Sequence, residues 1–380
     1  MIAFEPTEAQ LALQTRWQRL AGERLHPRSL EIDAAPAAGI DRAYLDLIAE
    51  ENLNALLIPE MYGGVPLDRM SLAILFEELG AGDAGFAAIF AQTFHAVAGL
   101  LIGGTHDQKQ RFLPLLLPPG GQVACFCATE EKSGSDTSSF ATVAHREAGG
   151  FTLNGAKNPI INGAHGRFYV VWASSDRERG RAGINTFIIP GETPGLAFSP
   201  YHDKPGLRTT PTATVFLKDV YIPEENRIGP VGSGYLLLMQ ILDWGRALSG
   251  ALAVGLARTA IEEAIRFAKQ RVILKRPIIK NQGIGFLLAE LVTELEAART
   301  LVWRACRLVE LDRDHTVASS MAKLYASELA ARATTEGILI LGQSGYRRPS
   351  LMDKLQRDAQ ALRIAEGTSQ IQKVIISSQL

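Results

Sequence analysis

Residues 357–372, RDAQALRIAEGTSQIQ, decide how this chain is read. They set one carboxylate, Glu366, in a Glu-Gly-Thr turn behind Ile364 and Ala365. Ser369 and Gln372 have the Ser-x-x-Gln spacing of a capping box, and Ile371, Val374 and Ile375 supply an apolar stripe, so a helix is predicted to begin there. A carboxylate held in an apolar turn resists ionising. The pKa of Glu366 is therefore expected to rise toward neutrality, the range useful to a general base. An isolated Glu-Gly-Thr reads only as a polar residue beside a helix cap; the surrounding chain gives it weight.

Upstream, the pattern runs helical, then β, then helical. Residues 1 to about 120 read as helices, with Asp41 placed to cap a segment carrying Tyr44, Leu45 and Ile48, and Ser71 to cap another carrying Ile74, Leu75 and Leu79. Gly63–Gly64 and the Pro-Pro-Gly-Gly of 118–121 are breaks. GQVACFCAT, GGFTLNGAK, RFYVVWASS, NTFIIPGE and TATVFLKDVYI are short β-rich runs divided by Gly, Asn and Pro turns. From Tyr235 the helical period returns: Leu287, Leu291, Leu295, Ala298 and Val302 share one face, and Met321, Leu324 and Tyr325 are assigned to another. The expected fold class is α+β. It has an N-terminal helical domain over 1–122, a central small β-barrel over 123–232, and a C-terminal four-helix bundle over 233–380 that carries Glu366.

Composition narrows the function. Hydrophobic residues make 47% of the 380 and charged residues 21%, a soluble globular balance. Lys+Arg total 39 against 40 Asp+Glu, which offers no basic surface for nucleic acid or an anionic membrane. No apolar run is read as approaching the roughly 20 residues that span a bilayer, and the polar start MIAFEPTEAQ argues against a cleaved leader. Cys125 and Cys127 fall on one strand face, too close for an easy disulfide, and Cys306 lies far away in a helix, so a reduced, cytoplasmic chain is expected. No Asp/Glu cluster or histidine spacing points to a metal. His95, in FHAVAG, reads as a packed helix residue.

The opening phrase resembles the catalytic-base segment of the acyl-CoA dehydrogenase family, and five more phrases occur in that family's order. They are PEMYGG (59–64), FCATEEKSGSD (126–136), LNGAKNPIING (153–163), ILDWGR (241–246), and the segment marked by Arg271, Pro277 and Gln282. Together they span roughly residues 40–380. The resemblance implies an FAD-dependent oxidation of an acyl thioester to the trans-2-enoyl product. In the family a base removes the α-proton on one face while a β-hydride passes to flavin N5 on the other. The thioester carbonyl is polarised by a flavin hydroxyl and by the base residue's own N–H, which is oxyanion-hole logic. Glu366 is implied as that base. Another base position used by some members falls on Gly245, which has no side chain to serve. Arg246 is implied to orient Glu366 by charge.

For the cofactor, the resemblance assigns Thr129 to the flavin pyrimidine end, and Ser135 to a pyrophosphate or pantetheine contact. It assigns Arg271 and Gln282 to an FAD reached across a subunit interface, and Thr368 to an adenosine-side contact or, equally, to a local role at the helix start. Electrons are implied to leave to an electron-transferring flavoprotein, and the assembly to be a homotetramer.

The departures cluster on the flavin side. Where the family carries an aromatic and a hydroxyl in the 153–163 hairpin, this chain has Pro159 and Ile161, leaving only the Ile161 backbone N–H for the flavin. The family Phe is Leu274 and a family Gln is Leu339. Losing three or four such contacts weakens FAD binding by roughly one to four decades if the losses add. On the substrate side the usual Tyr before the base is Ala365, which with Gly367 opens room for a branched, cyclic or bulky acyl group. Phe86 stands where glutaryl-CoA dehydrogenases carry an Arg, arguing against a dicarboxylic substrate. The acyl carrier is CoA or a carrier protein. The alternative is a non-oxidising member: a partner subunit of a hetero-oligomer, or a redox-neutral lyase or isomerase.

Overall fold

Three aspartates start three helices of the N-terminal domain in the computed structural model, which describes residues 5–36 and 38–380. The first four residues of the expected domain lie outside the described residues. Helices α1 (Glu8–Leu20) and α2 (His26–Ala34) lead in. Asp41 accepts the Ala43 N–H at 3.0 Å and begins α3 (Arg42–Glu50). Asp68, not Ser71, begins α4 (Arg69–Gly82): its carboxylate accepts the Ser71 N–H at 2.8 Å. The charged side chain, one turn earlier, reaches the unpaired amides that Ser71 itself contributes. Asp83 accepts the N–H groups of Gly85 and Phe86 and begins α5 (Ala84–Gly103).

Helix α5 overturns one expectation. It is 20 residues long with mean hydropathy 1.7, long and apolar enough to cross a membrane. Yet 78% of its apolar window is buried inside the protein, packed by α4 and the sheet, so its hydrophobic surface is already satisfied. Helix α6 (His106–Phe112) ends the domain.

The β-rich runs become β1 (Val123–Cys127), β3 (Gly150–Ile161), β4 (Gly166–Ser174), β5 (Ile184–Pro190) and β7 (Thr212–Pro223). Three short strands escaped the reading: β2 (Val143–Glu147), β6 (Leu196–Phe198) and β8 (Arg227–Ile228). The order is β6-β7-β3-β2-β4-β5-β8, with β1 parallel to β4, and the two ends of this order are not hydrogen-bonded to each other. The sheet therefore rolls around its own core of Cys125, Cys127, Phe151, Tyr169, Phe187 and Val215 as an unclosed barrel.

The C-terminal helices are α7 (Gly234–Gln270), α8 (Gln282–Glu310), α9 (Thr316–Leu341), the short α10 (Gln343–Tyr346), α11 (Leu351–Leu362) and α12 (Ser369–Ser377). A two-stranded hairpin, β9 (Val272–Ile273) with β10 (Arg276–Pro277), joins α7 to α8. The α8 face read from sequence is the buried one. The α9 face is not: Met321, Leu324 and Tyr325 are half-buried or exposed, and Ala318, Ala322, Ala326, Ala330 and Ala333 pack inward. Small residues let α7 and α9 approach closely, a requirement that hydropathy alone does not report. Where α4 crosses α7, a Cβ on Gly255 would stand 1.9 Å from the Glu77 carbonyl oxygen, so glycine sets that spacing.

The Arg-Asp-Ala of the opening phrase anchors α11. Arg357 pairs with Asp33 at 2.5 Å and donates to the Pro205 carbonyl at 2.7 Å. Buried Asp358 accepts the Leu207 N–H and pairs with Lys354, whose ammonium also lies 2.6 Å from Asp83. Tyr44 and Thr209 donate to Asp83 at 2.8 and 2.7 Å. Buried charges stand only when paired and fully hydrogen-bonded, and this network ties the helix before the turn to the N-terminal domain and to the loop before β7.

Candidate active site

The chain after α11 reverses direction through a left-handed turn. Glu366 has φ +58° and Gly367 φ +87°. A non-glycine residue in that region is uncommon and persists where its surroundings hold it. The holding groups are plain. Lys323, buried on α9, donates to the Gly367 carbonyl at 2.7 Å. Gln372 donates to the carbonyls of Glu366 and Gly367, each at 2.9 Å. The Ser369 N–H reaches back to the Arg363 carbonyl, and Glu328 accepts from both Arg363 and the Ser369 hydroxyl. With its carbonyl taken, the Glu366 N–H has no protein partner among the described residues, leaving a donor free for a ligand oxygen.

This wiring corrects the capping-box reading. The N-cap of α12 is Thr368, whose hydroxyl accepts the Ile371 N–H at 3.3 Å. Ser369 is the first helical residue, and Gln372 serves the turn instead of the cap. Two overlapping polar spacings competed, and the side chains with long-range partners were removed from local capping.

The Glu366 side chain is only 14% exposed, and its Oε2 lies 3.1 Å from Nε2 of His95 on α5. The contact is off a hydrogen-bond line, and neither atom has another partner among the described residues. His95 Nδ1 donates to the Ala91 carbonyl at 2.6 Å. Gly245, on α7, lies directly beneath: a Cβ there would stand 2.1 Å from His95 Nε2 and 3.2 Å from Glu366 Oε2. Burial would push the Glu366 carboxyl up, but His95, Arg246 and Lys323 outweigh it and hold the carboxyl below its usual range. The expected upward shift is thus reversed, because the countercharges come from three helices far away in the chain. Arg246 is buried and pairs with Asp243, which also accepts the Thr316 hydroxyl at 2.8 Å; it acts on Glu366 by charge, without direct contact. Burial pushes Lys323 down to about 8, with the pull of Glu366 opposing.

His95 was read as packing, and the structure places it on the candidate base. Phe126 of β1 packs on its ring at 5.3 Å between centroids, which brings the end of β1, and so Thr129, near the turn. Thr129 is half-buried; its carbonyl accepts the Asn158 N–H at 2.9 Å, and its hydroxyl has no partner among the described residues. Two residues the motifs contained but the sequence reading passed over hold this segment. Buried Lys157 donates to Glu130 at 2.7 Å and to the Ala128 carbonyl at 3.2 Å, bracketing Thr129, and Glu130 accepts the N–H groups of Ala141 and Thr142. Their signal was a Lys and a Glu inside otherwise apolar runs, which in a core demand each other.

The remaining residues scatter. Ser135 is exposed on the loop after β1, and Ile161 is half-buried at the end of β3. Arg271 and Gln282 are exposed at the α7–α8 junction. Arg271 stands about 37 Å along α7 from Arg246, so one chain does not bring it to its own Glu366 turn. Ala365 is exposed beside Glu366, and Gly367 is part of the turn. Phe86 is a core residue, fully buried with its ring 4.9 Å from Tyr44 and about 13 Å along α5 from His95, so the structure does not place it beside the base. Among the described residues no His/Cys/Asp/Glu group is arranged to hold a metal.

Models of the acyl-CoA dehydrogenase N-terminal, middle and C-terminal domains match residues 7–118, 125–220 and 232–380. Cyclohex-1-ene-1-carbonyl-CoA dehydrogenase of Syntrophus aciditrophicus is 32% identical over 377 residues, 99% of this chain and 91% of that protein. Butyryl-CoA dehydrogenase from Megasphaera elsdenii superposes with a TM-score of 0.94 at 32% identity, covering 100% of this chain and 99% of that one. A chain from the structure described as the electron transferring flavoprotein of Acidaminococcus fermentans gives a TM-score of 0.95 at 33% identity, covering 100% and 99%. The fold and the site are those of an oxidoreductase that acts on acyl-CoA thioesters with FAD. The chain belongs to the acyl-CoA dehydrogenase family. The non-oxidising alternative is not favoured by these relatives.

The residues fit the flavin on the side where this chain supplies them: the free Thr129 hydroxyl stands on a segment fixed by the Lys157–Glu130 pair. FAD, when bound, accepts the hydride.

Proposed function

We propose that Glu366 is the base that takes the α-proton of the acyl thioester. The observation that supports this most strongly is a carboxylate 3.1 Å from His95 on a turn whose carbonyls are pinned, so that the same residue offers a free amide. The α-C–H bond breaks, the proton joins a Glu366 oxygen, and the carbonyl oxygen carrying the developing negative charge is met by the Glu366 N–H. Buried positive charge at Arg246 and Lys323 favours that anionic character. A Glu366→Gln variant tests the reading: flavin content is expected to stay, and bleaching of the flavin by butyryl-CoA to disappear. Retained bleaching would mean another group is the base.

On the cofactor side, Thr129 and the Ile161 backbone amide meet the flavin, Ser135 meets the pyrophosphate or pantetheine, Thr368 adds an adenosine-side contact to its capping of α12, and Arg271 and Gln282 reach the FAD of a neighbouring copy. The 37 Å length between Arg271 and Arg246 supports that division, as do the exposed Val272, Ile273 and Leu274 beside Arg271. The assembly in this reading is a homotetramer in the cytoplasm, passing electrons to an electron-transferring flavoprotein. The small, exposed Ala365 beside Glu366 fits a branched, cyclic or otherwise bulky acyl group, in keeping with a relative named for a cyclic acyl-CoA. Turnover of cyclohex-1-ene-1-carbonyl-CoA compared with butyryl-CoA tests the last point, and a strong preference for the linear chain would overturn it.

A further inference from the structure

His95 is buried, and packing alone does not explain where its ring points. Its Nδ1 lies 2.6 Å from the Ala91 carbonyl, which can only accept, so Nδ1 carries a hydrogen. Nε2 then lies 3.1 Å from Glu366 Oε2, within ion-pair distance although off the line of a hydrogen bond. A lone pair facing a carboxylate oxygen at that distance inside a core repels it. The pair is stable only when it holds one proton more than the two bare bases. The other charged groups packed around the pair are Arg246 and Asp243 on α7 and Lys323 on α9, while β1 contributes the Phe126 ring and α5 the Phe94 ring. Arg246, although paired with Asp243, and Lys323 both add positive charge near Glu366, which favours the anion there and leaves the proton on the imidazole.

The space for this ring is made by α7. Nε2 occupies the volume that any side chain at 245 would enter, 2.1 Å from its Cβ. Position 245 must therefore be glycine for His95 to reach the carboxylate, and the two residues act as a matched pair.

We propose that His95 is a positioning residue, a fixed imidazolium counter-ion that keeps Glu366 ionised and aimed before the thioester arrives; this rests on Glu366 being the base. The sign follows from burial. A carboxylate stripped of water and left without His95 takes up a proton more readily, so removing His95 moves the acid limb of the reaction to higher pH. Burial tends to lower the His95 pKa, but Glu366 and the Ala91 carbonyl outweigh it and raise it, which matches the same pairing.

The test compares wild type, His95→Gln, His95→Leu and Glu366→Gln as holoenzymes. Stopped-flow bleaching by butyryl-CoA is measured across pH. The infrared difference between each His95 form and the same form carrying Glu366→Gln reads the protonation of Glu366 without turnover. In His95→Gln, bleaching at about pH 6 relative to about pH 8.5 is expected to fall at least about tenfold beyond wild type, which places the variant's acid limb about one unit above pH 6. The Glu366 carboxylate band is expected to convert to the acid band at about pH 6. A uniform loss at all pH values, with the carboxylate band unchanged, would overturn the proposal and leave His95 a packing residue. If both His95 variants misfold, ¹⁵N spectra of wild type decide: an imidazolium at about pH 7 that is lost in Glu366→Gln supports the pairing, and a neutral ring at about pH 6 overturns it. Should Glu366→Gln still bleach, the base assignment fails, while the infrared and ¹⁵N readouts still report on the ion pair.

Discussion

The turn at Glu366 and the hairpin at Val272–Leu274 are opposites. In the turn, the carbonyls of Glu366 and Gly367 are both held by buried donors, and the carboxylate is ringed by groups from α5, α7 and α9. In the hairpin two residues pair with two, Leu274 and Lys275 both take positive φ, and Leu274 is 91% exposed. A turn so determined by its own chain needs no second surface to hold it. A hairpin that exposes Val272, Ile273 and Leu274 together is unfinished, and its apolar side chains gain their burial only against another surface. In the proposed function the difference separates the labour: proton transfer inside one chain, flavin retention between chains.

Four substitutions break or sharpen that contrast. Glu366→Gln strikes the complete half, and loss of a general base is expected to cost about 10²–10⁴-fold in flavin bleaching by thioester with FAD content kept. Leu274→Asp strikes the unfinished half: sedimentation should show dissociation, and the desalted protein should lose FAD. About 2 kcal/mol or more per lost anchor is expected, while the melting of each subunit changes little. If Leu274→Asp leaves assembly and flavin intact, the division between the two regions is wrong. Gly245→Ala drives a methyl into His95 and is expected to cost about 1–3 kcal/mol of stability, read by denaturant unfolding, and to slow bleaching at low pH most. Ile161→Thr returns a hydroxyl to the flavin side, and is expected to tighten FAD by about 0.5–1.5 kcal/mol, read by equilibrium dialysis, without altering the pH profile of bleaching.

The turn was legible because its signal is local. Arg357 to Gln372 are contiguous, and the position of Glu366 and a helix starting just after it followed from spacing, although the cap fell one residue earlier than expected, on Thr368. So were the five longer strands, whose β-branched and aromatic runs are bounded by turn residues, whereas β2, β6 and β8 are too short or too polar to stand out. The Ser71 cap failed because a better-charged residue stood one turn earlier. The Met321–Tyr325 face failed because α9 packs by smallness, with alanines against α7, and large apolar residues were left outside. The membrane reading of α5 shows the reverse: a largely apolar helix was overlooked as a span, and the fold buries most of its surface in the core.

His95 marks the limit of legibility. Its pattern says that position 95 faces inward, and burial of a histidine is ordinary. Nothing local says that the inward neighbour is a carboxylate more than two hundred residues later. The pKa of Glu366 reversed direction for the same reason. The sequence by itself determined a helical–sheet–helical chain of this family, with one carboxylate on a Glu-Gly-Thr turn, since hydrophobic period, turn chemistry and contiguous motif are properties of neighbours along the chain. Tertiary structure alone decided which helices bring charge to that carboxylate, and that glycine at 245 makes room for an imidazole beside it. Those are electrostatic and steric facts, and charge and volume act through space between segments that only folding brings within a few ångströms.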